Sequence, residues 1–277
     1  MGGTVSIEDV QPPQCHARAQ RLLGEVRLIR AEMGRGEDTR PVPEITNTQP
    51  REVYFQALAV WHKTERLADE LGVRATRVVP RSPSPRDLLP GHVLQVIDAV
   101  LVQIDDIKAR LQIQEAAREP AIDTQRNPGD VLVTLLHVSR EVSKLLERPF
   151  TPTDCHRAVT LASSYAAQLG GRLVSVPFER NRRPADCYVQ LERCLALATA
   201  VIAKSGQQSL AMRGPIGEVL PGDVYDLAHL VLGELAYLHS LGTNPAVQPY
   251  EVAGCGHRLP SHVHQLARVL EAQLVVL

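Results

Sequence analysis

Eight times along this chain a proline is followed three residues later by valine or cysteine, and at each of these points an apolar run spaced four, three, four, three begins. The pairs are Pro12/Cys15, Pro50/Val53, Pro90/Val93, Pro128/Val131, Pro152/Cys155, Pro184/Cys187, Pro221/Val224 and Pro260/Val263. That spacing lines one side of an α-helix. Proline suits the first helical turn, where its missing N–H would have had no partner. The clearest copy runs from Pro50 to Gly72, with Val53, Ala57, Val60, Thr64, Leu67 and Leu71 on one stripe and Leu58 and Trp61 widening it. Glu52 places negative charge at the positive end of that helix, and Gly72 ends it. Its helical part is roughly 33 Å long at 1.5 Å per residue. A rod of that length with one greasy side must bury that side against others like it.

The other seven stripes keep the period. They run through Ala19, Leu22, Val26 and Ile29; Ile97, Val100, Ile104, Ile107 and Leu111; and Leu135, Val138, Val142 and Leu145. In the second half they run through Val159, Ala162, Ala166 and Leu169; Leu191, Cys194, Ala198 and Val201; Ala228, Val231, Leu235 and Leu238; and Ala267, Leu270 and Leu274. Gly34, Gly72, Gly170, Gly206 and Gly242 stand where five of the helices stop. An acid recurs two residues after the proline at Asp130, Asp154, Asp186 and Asp223, and Thr151 with Asp154 resembles a capping box.

The repeats also pair at a higher order. The first and fifth share Cys-His after the proline, the second and sixth share an acid-x-Tyr element, and the third and seventh share Leu-Pro-Gly-x-Val. This pattern predicts an all-α protein of two tandem up-down four-helix bundles arising from an internal duplication. The bundles span residues 10–148 and 151–277, joined at Arg148-Pro149-Phe150. The rival arrangement is an α-solenoid of helix pairs. Recurrence every four helices rather than every two favours bundles. The connections are long for helix-to-helix links and carry apolar-proline pieces such as Val42-Pro43 and Val176-Pro177, which should pack over the bundle ends. Nothing reads as a β-sheet.

Charge narrows the partners. The 30 basic and 31 acidic residues balance almost evenly, and neither half has the basic excess that phosphate-backbone binding needs, so no nucleic-acid partner is expected. No apolar run of 18 residues occurs, so no membrane span is expected, and the first residues lack the pattern of a signal peptide. Compartment stays open on these grounds. The second half holds 20 charged residues against 41 in the first, so it either buries more of itself or offers a less polar face to a partner or to a second copy in a homo-oligomer. Three of the five cysteines, Cys15, Cys155 and Cys187, occupy the position of Val53 and read as small buried hydrophobes.

Catalytic signatures are missing. There is no Gly-x-Ser-x-Gly, no phosphate-binding Gly-x-x-x-x-Gly-Lys, no haem-attachment motif and no Glu-x-x-His. The nearest approach to a di-iron pair, Asp226-Leu-Ala-His229, reads as a solvated Asp beside a His at the seam edge. His62 and His137 are candidates for a relay histidine, and His16, Tyr54, His156, Tyr188, Tyr225 and His264 form a recurring set of polar tips at the rim. One dense group of soft ligands remains, Cys255 and His257 with His262 and His264 around the last helix start, of a kind that suits zinc or copper. Small residues on the second-half stripes allow either close helix packing or an apolar cavity. The residues therefore point to a non-enzymatic helical protein with no cofactor, acting through an unknown protein partner or a small apolar ligand. A metal site at the last helix and a ligand-regulated sensor are the competing readings.

Overall fold

The structure, a computed structural model, describes residues 6–73, 83–213, 217–242 and 256–277. The chain is all-α apart from one small two-stranded sheet. The helices are α1 (Pro12–Glu32), α2 (Pro50–Glu70), α3 (Pro90–Leu111), α4 (Pro128–Leu145), α5 (Pro152–Gln168), α6 (Pro184–Lys204), α7 (Pro221–Ser240) and α8 (Pro260–Val275). Every one starts on its expected proline.

Each helix is opened by the same device. The backbone N–H of the residue before the proline donates to the side chain three positions on: Gln49 to Glu52 at 2.5 Å, Thr151 to Asp154 at 2.8 Å and Leu220 to Asp223 at 2.8 Å are examples. Where the sequence has no acid, Gln14 or an imidazole does the work, with His92 Nδ1 accepting from Leu89 and His262 Nδ1 from Leu259, each at 3.0 Å. At the far ends, Gly34, Gly72, Gly170 and Gly206 take the left-handed conformation that releases the chain, and Gln112 adopts it at the end of α3.

α1 to α4 pack among themselves, and so do α5 to α8. Within the first quartet α1 touches α3 and α4, as does α2; within the second, α5 and α6 each touch α7 and α8. The sequential pairing that a solenoid of helix pairs requires is not the one formed. The stripe residues fill the interiors: Leu22, Val26 and Ile29, for example, are fully buried.

The expected up-and-down alternation is not what forms. Pro12, Pro50, Pro90 and Pro128 surround one small gap at a single end, and Pro152, Pro184, Pro221 and Pro260 do the same in the second quartet, so all four helices of each run parallel. Connection length is the physical reason. Helices of 16 to 22 residues joined by 15 to 19 residues leave enough extended chain to return along the whole rod at about 3.3 Å per residue. The chain between α3 and α4 runs back along α1, where the Ala117 N–H donates to Glu25 at 3.2 Å and Glu119 pairs with Arg18 at 3.0 Å. The chain between α5 and α6 returns along α8, with Val176 accepting from Gln265 at 2.9 Å and the Arg182 N–H donating to Ser261 at 3.2 Å. These two connections cover the sides of the quartets rather than their ends. Only the link from α4 to α5 is short, six residues, and there the direction reverses.

The two quartets meet through α7, which lies against α2 and α4 as well as its own neighbours. Every residue from Asp223 to Ser240 is buried. A helix enclosed by protein on every side is mostly apolar, and the charged residues of α7, Asp223, Asp226 and Glu234, are each paired across the seam. α2 and α7 run antiparallel: Arg51 pairs with Glu234 at 3.2 Å near one end, Lys63 with Asp226 at 3.0 Å near the other, and between them Gly233 lies under the Phe55 ring. Arg51 also holds Glu52 at 2.9 Å and lies 4.3 Å over the Tyr237 ring. Two arms complete the seam. Glu44–Thr46 (β1) and Ala211–Arg213 (β2) pair antiparallel, with Ile45 opposite Met212, in strands too short for a two-residue period to register in the sequence. Arg40 and Arg140 both bind Asp223, at 2.6 and 3.2 Å, tying the first arm to the start of α7.

A candidate binding cleft between the quartets

The six-residue link that reverses the chain carries Phe150, and its position builds an opening between the quartets. Phe150 is buried with its ring centroid 4.2 Å from that of Tyr225 on α7, and the Arg66 guanidinium on α2 lies 4.0 Å over the Phe150 ring. Arg66 is held flat by Asp154 of α5 through contacts of 2.8 and 3.2 Å. Burial alone would raise the Asp154 carboxyl, but Arg66 and the Thr151 cap hold it below the usual carboxylate range. The result is an open cleft of about 390 Å³ between α2, α5 and α7.

One wall is apolar, made of Ala158 and Leu161 from α5 and Leu232 from α7. The α7 floor is polar and buried. His229 Nδ1 lies 3.1 Å from the Tyr225 carbonyl one turn earlier and donates to it, which leaves the Nε2 lone pair for the cleft that the residue lines. Burial, with a smaller push from His62, lowers this imidazole to about 3, so it is neutral. Burial likewise raises the Tyr225 phenol far above its ordinary value, so it keeps its proton. His62 stands at the rim with its ring centroid 6.2 Å from that of His229, and Trp61, the only tryptophan, lies 5.1 Å behind it. Arg157 is exposed at the mouth.

Behind the aromatic floor, Lys63 is fully buried. Its ammonium reaches Ser139 Oγ at 2.7 Å, Asp226 at 3.0 Å, and the Gly222 carbonyl and Ser143 Oγ at 3.2 Å each. Ser139 in turn donates to Asp226 at 2.8 Å. Burial raises the Asp226 carboxyl, against the pull of Lys63 and Ser139. A serine, a lysine and an aspartate in contact resemble a nucleophile with its base, but Lys63 and Ser139 have no exposed surface. Without access the cluster acts as a clamp between α2, α4 and α7.

The residues singled out from sequence fare differently. Asp226 and His229 are neither solvated nor at a seam edge: one is the clamp's carboxylate and the other the cleft's floor. Tyr225 joins them, whereas Tyr54, Tyr188 and His264 are buried rather than tips at a rim, Tyr188 at the seam beside Leu136 and Arg140. Of the four soft ligands, Cys255 lies outside the described residues, His257 is exposed, and His262 is engaged as the helix cap. His264 is buried beside an open groove of about 320 Å³ lined by Glu179, Arg182 and Arg268. Among the described residues no three His, Cys, Asp or Glu side chains come together as a metal ion would need. The thiols of Cys15, Cys155 and Cys187 donate to the Pro90, Pro221 and Pro260 carbonyls of neighbouring helices at 3.2, 3.4 and 3.2 Å. Burial pushes Cys15 and Cys187 up to about 12, which makes them poor nucleophiles.

The cleft itself was hidden in the sequence, because its residues come from three helices and a link and share no motif. The one available signal was the short connection carrying an aromatic residue. Comparison with protein-family models, with curated proteins and with solved structures finds no match to this chain.

Proposed function

We propose that this chain is a non-enzymatic binding protein whose ligand is a small molecule seated in the cleft between the two quartets. The observation that carries the reading is an opening of about 390 Å³ whose floor combines buried polar groups with an apolar wall. That volume falls in the range of small-molecule sites, which favour seams between packed units. The quartet interiors offer less. The gap enclosed by the four prolines of the second quartet measures about 10 Å³, space for one water at most. The small residues on those stripes draw the helices together, as Cys194 Sγ reaching the Ala267 carbonyl at 3.3 Å illustrates. A protein partner is the weaker reading, because α7, buried from Asp223 to Ser240, is already covered by α2 and α4.

A fragment screen followed by ligand-observed NMR tests this, run on the protein and on Leu161→Trp, which fills the cleft from its half-buried wall. Hits that vanish in the variant support the reading. Absence of hits, or hits that bind both proteins equally, overturns it.

A further inference from the structure

Most charges around the cleft are already engaged. Arg66 is bound to Asp154, His62 approaches Glu65 at 3.9 Å, and Glu65 and Asp69 both have interaction partners. Three groups keep unused capacity toward the opening. Arg157 makes no ion pair or hydrogen bond among the described residues, the Tyr225 hydroxyl makes no hydrogen bond among them, and His229 Nε2 keeps its lone pair because Nδ1 is spent on the Tyr225 carbonyl.

These three valences differ in kind. A guanidinium offers only donors and is matched by a carboxylate, to which charge-assisted bonds are the stronger sort. A neutral imidazole nitrogen with a lone pair accepts only, so it is matched by a hydroxyl or N–H of the ligand. Because His229 stays neutral down to about 3, this acceptor persists across the physiological pH range. A cationic ligand would bring its charge against Arg157 and leave that guanidinium unused, while the lining carboxylates Glu65, Asp69 and Asp154 already have partners. The body between the two polar ends lies against Ala158, Leu161 and Leu232 and should be apolar.

Resting on the cleft reading above, we infer that the ligand is a small hydroxy-carboxylate with an apolar body, its carboxylate on Arg157 and its hydroxyl donating to His229 Nε2. The Tyr225 hydroxyl serves the carboxylate as a second donor. No bond is made or broken in this association.

Four matched probes test the assignment by titration against the emission of Trp61, which sits behind the rim histidine. They are mandelate, phenylacetate without the hydroxyl, 1-phenyl-1,2-ethanediol without the charge, and 2-amino-1-phenylethanol with the charge reversed. Mandelate is expected to saturate the signal. Phenylacetate and the diol should each bind several-fold more weakly for the loss of one hydrogen bond or the ion pair. The amino alcohol should give no saturable change. Arg157→Ala, exposed and outside the core, should weaken mandelate roughly tenfold and the diol, which loses only a neutral hydrogen bond, several-fold less. His229→Phe should bring mandelate down to the level of phenylacetate, and circular dichroism reports whether that buried variant is folded; if it is not, the probe series and Arg157→Ala decide alone. Preference for the amino alcohol, or unchanged mandelate binding in Arg157→Ala, overturns the ligand class but leaves the cleft reading standing. So does failure of all four probes when the fragment screen has yielded cleft hits. Mandelate binding that survives Leu161→Trp in ligand-observed NMR, where the added tryptophan does not enter the signal, or a screen and a probe series that are both empty, removes the two together.

Discussion

Lys63 shows how far a single side chain can depart from its place in a pattern. It lies one residue before Thr64 on the α2 stripe, so periodicity turns it away from the first quartet's interior, where a lysine reads as solvated. The second quartet then covers that face, and the ammonium must replace its water with Ser139, Ser143, Asp226 and the Gly222 carbonyl. A buried pair of this kind adds little net stability over an apolar replacement, yet losing one partner strands the other charge. Lys63→Met is therefore expected to cost about 3–5 kcal/mol in urea denaturation. Lys63→Met with Asp226→Leu should recover most of that loss. A single variant within about 1 kcal/mol of the parent would show that Asp226 finds solvent or a proton without the lysine. The same reasoning explains why Arg51, Glu52 and Asp226 were not legible as buried: their burial comes from the packing of one quartet on another, which no local period encodes.

At the scale of the helix, starts, periods and stops were legible because each rests on local chemistry. Direction was not. A stripe looks the same whether its helix runs up or down, and the only mark of parallel packing was the length of the connections. Parallel helices gather four positive dipole ends at one face, each worth roughly half a charge, so the side chains at the third position do more than close a hydrogen bond. Four of the eight are carboxylates, Asp130, Asp154, Asp186 and Asp223, and Glu52 is a fifth carboxyl group. Asp154 carries the heaviest share, accepting from the Thr151 N–H and hydroxyl, each at 2.8 Å, and from Arg66 across the seam. Asp186 accepts from the Arg183 N–H at 2.7 Å and meets Arg182 only at 3.7 Å. Asp154→Ala is expected to lower stability by about 2 kcal/mol and Asp186→Ala by about 1 kcal/mol. Melting curves of the two variants rank them, and equal losses would mean that the Arg66 contact adds nothing to the cap.

For the molecule as a whole, the seam decides both stability and site, since the cleft exists only while α7 is seated against α2. Seating is close. A side-chain carbon on Gly233 would lie 2.8 Å from the Phe55 ring, so Gly233→Leu should overpack the seam and cost about 1–3 kcal/mol, with Phe55→Ala restoring part of the loss in the double variant. Additive losses in denaturation would show that the two positions do not meet. The same seam is coupled to pH through Glu52. Burial, then the neighbouring Glu234, raises its carboxyl well above the ordinary value, against the pull of Arg51. The folded chain thus keeps a proton that the unfolded chain releases near about 4.3. Below that pH both states are protonated and the burial is tolerated in full. As pH rises, the unfolded state gains by ionising while the folded state does not, so this contribution falls until the folded carboxyl ionises too. Glu52→Gln keeps an acceptor for the Gln49 N–H and has nothing to titrate. Urea midpoints of parent and variant from pH 5 to pH 8 isolate the effect from the buried histidines, whose lowered values act in both proteins alike. The variant is expected to gain on the parent steadily as pH rises, and a gap that stays constant or closes would mean that Glu52 is ionised in the folded protein, with Arg51 alone balancing two carboxylates.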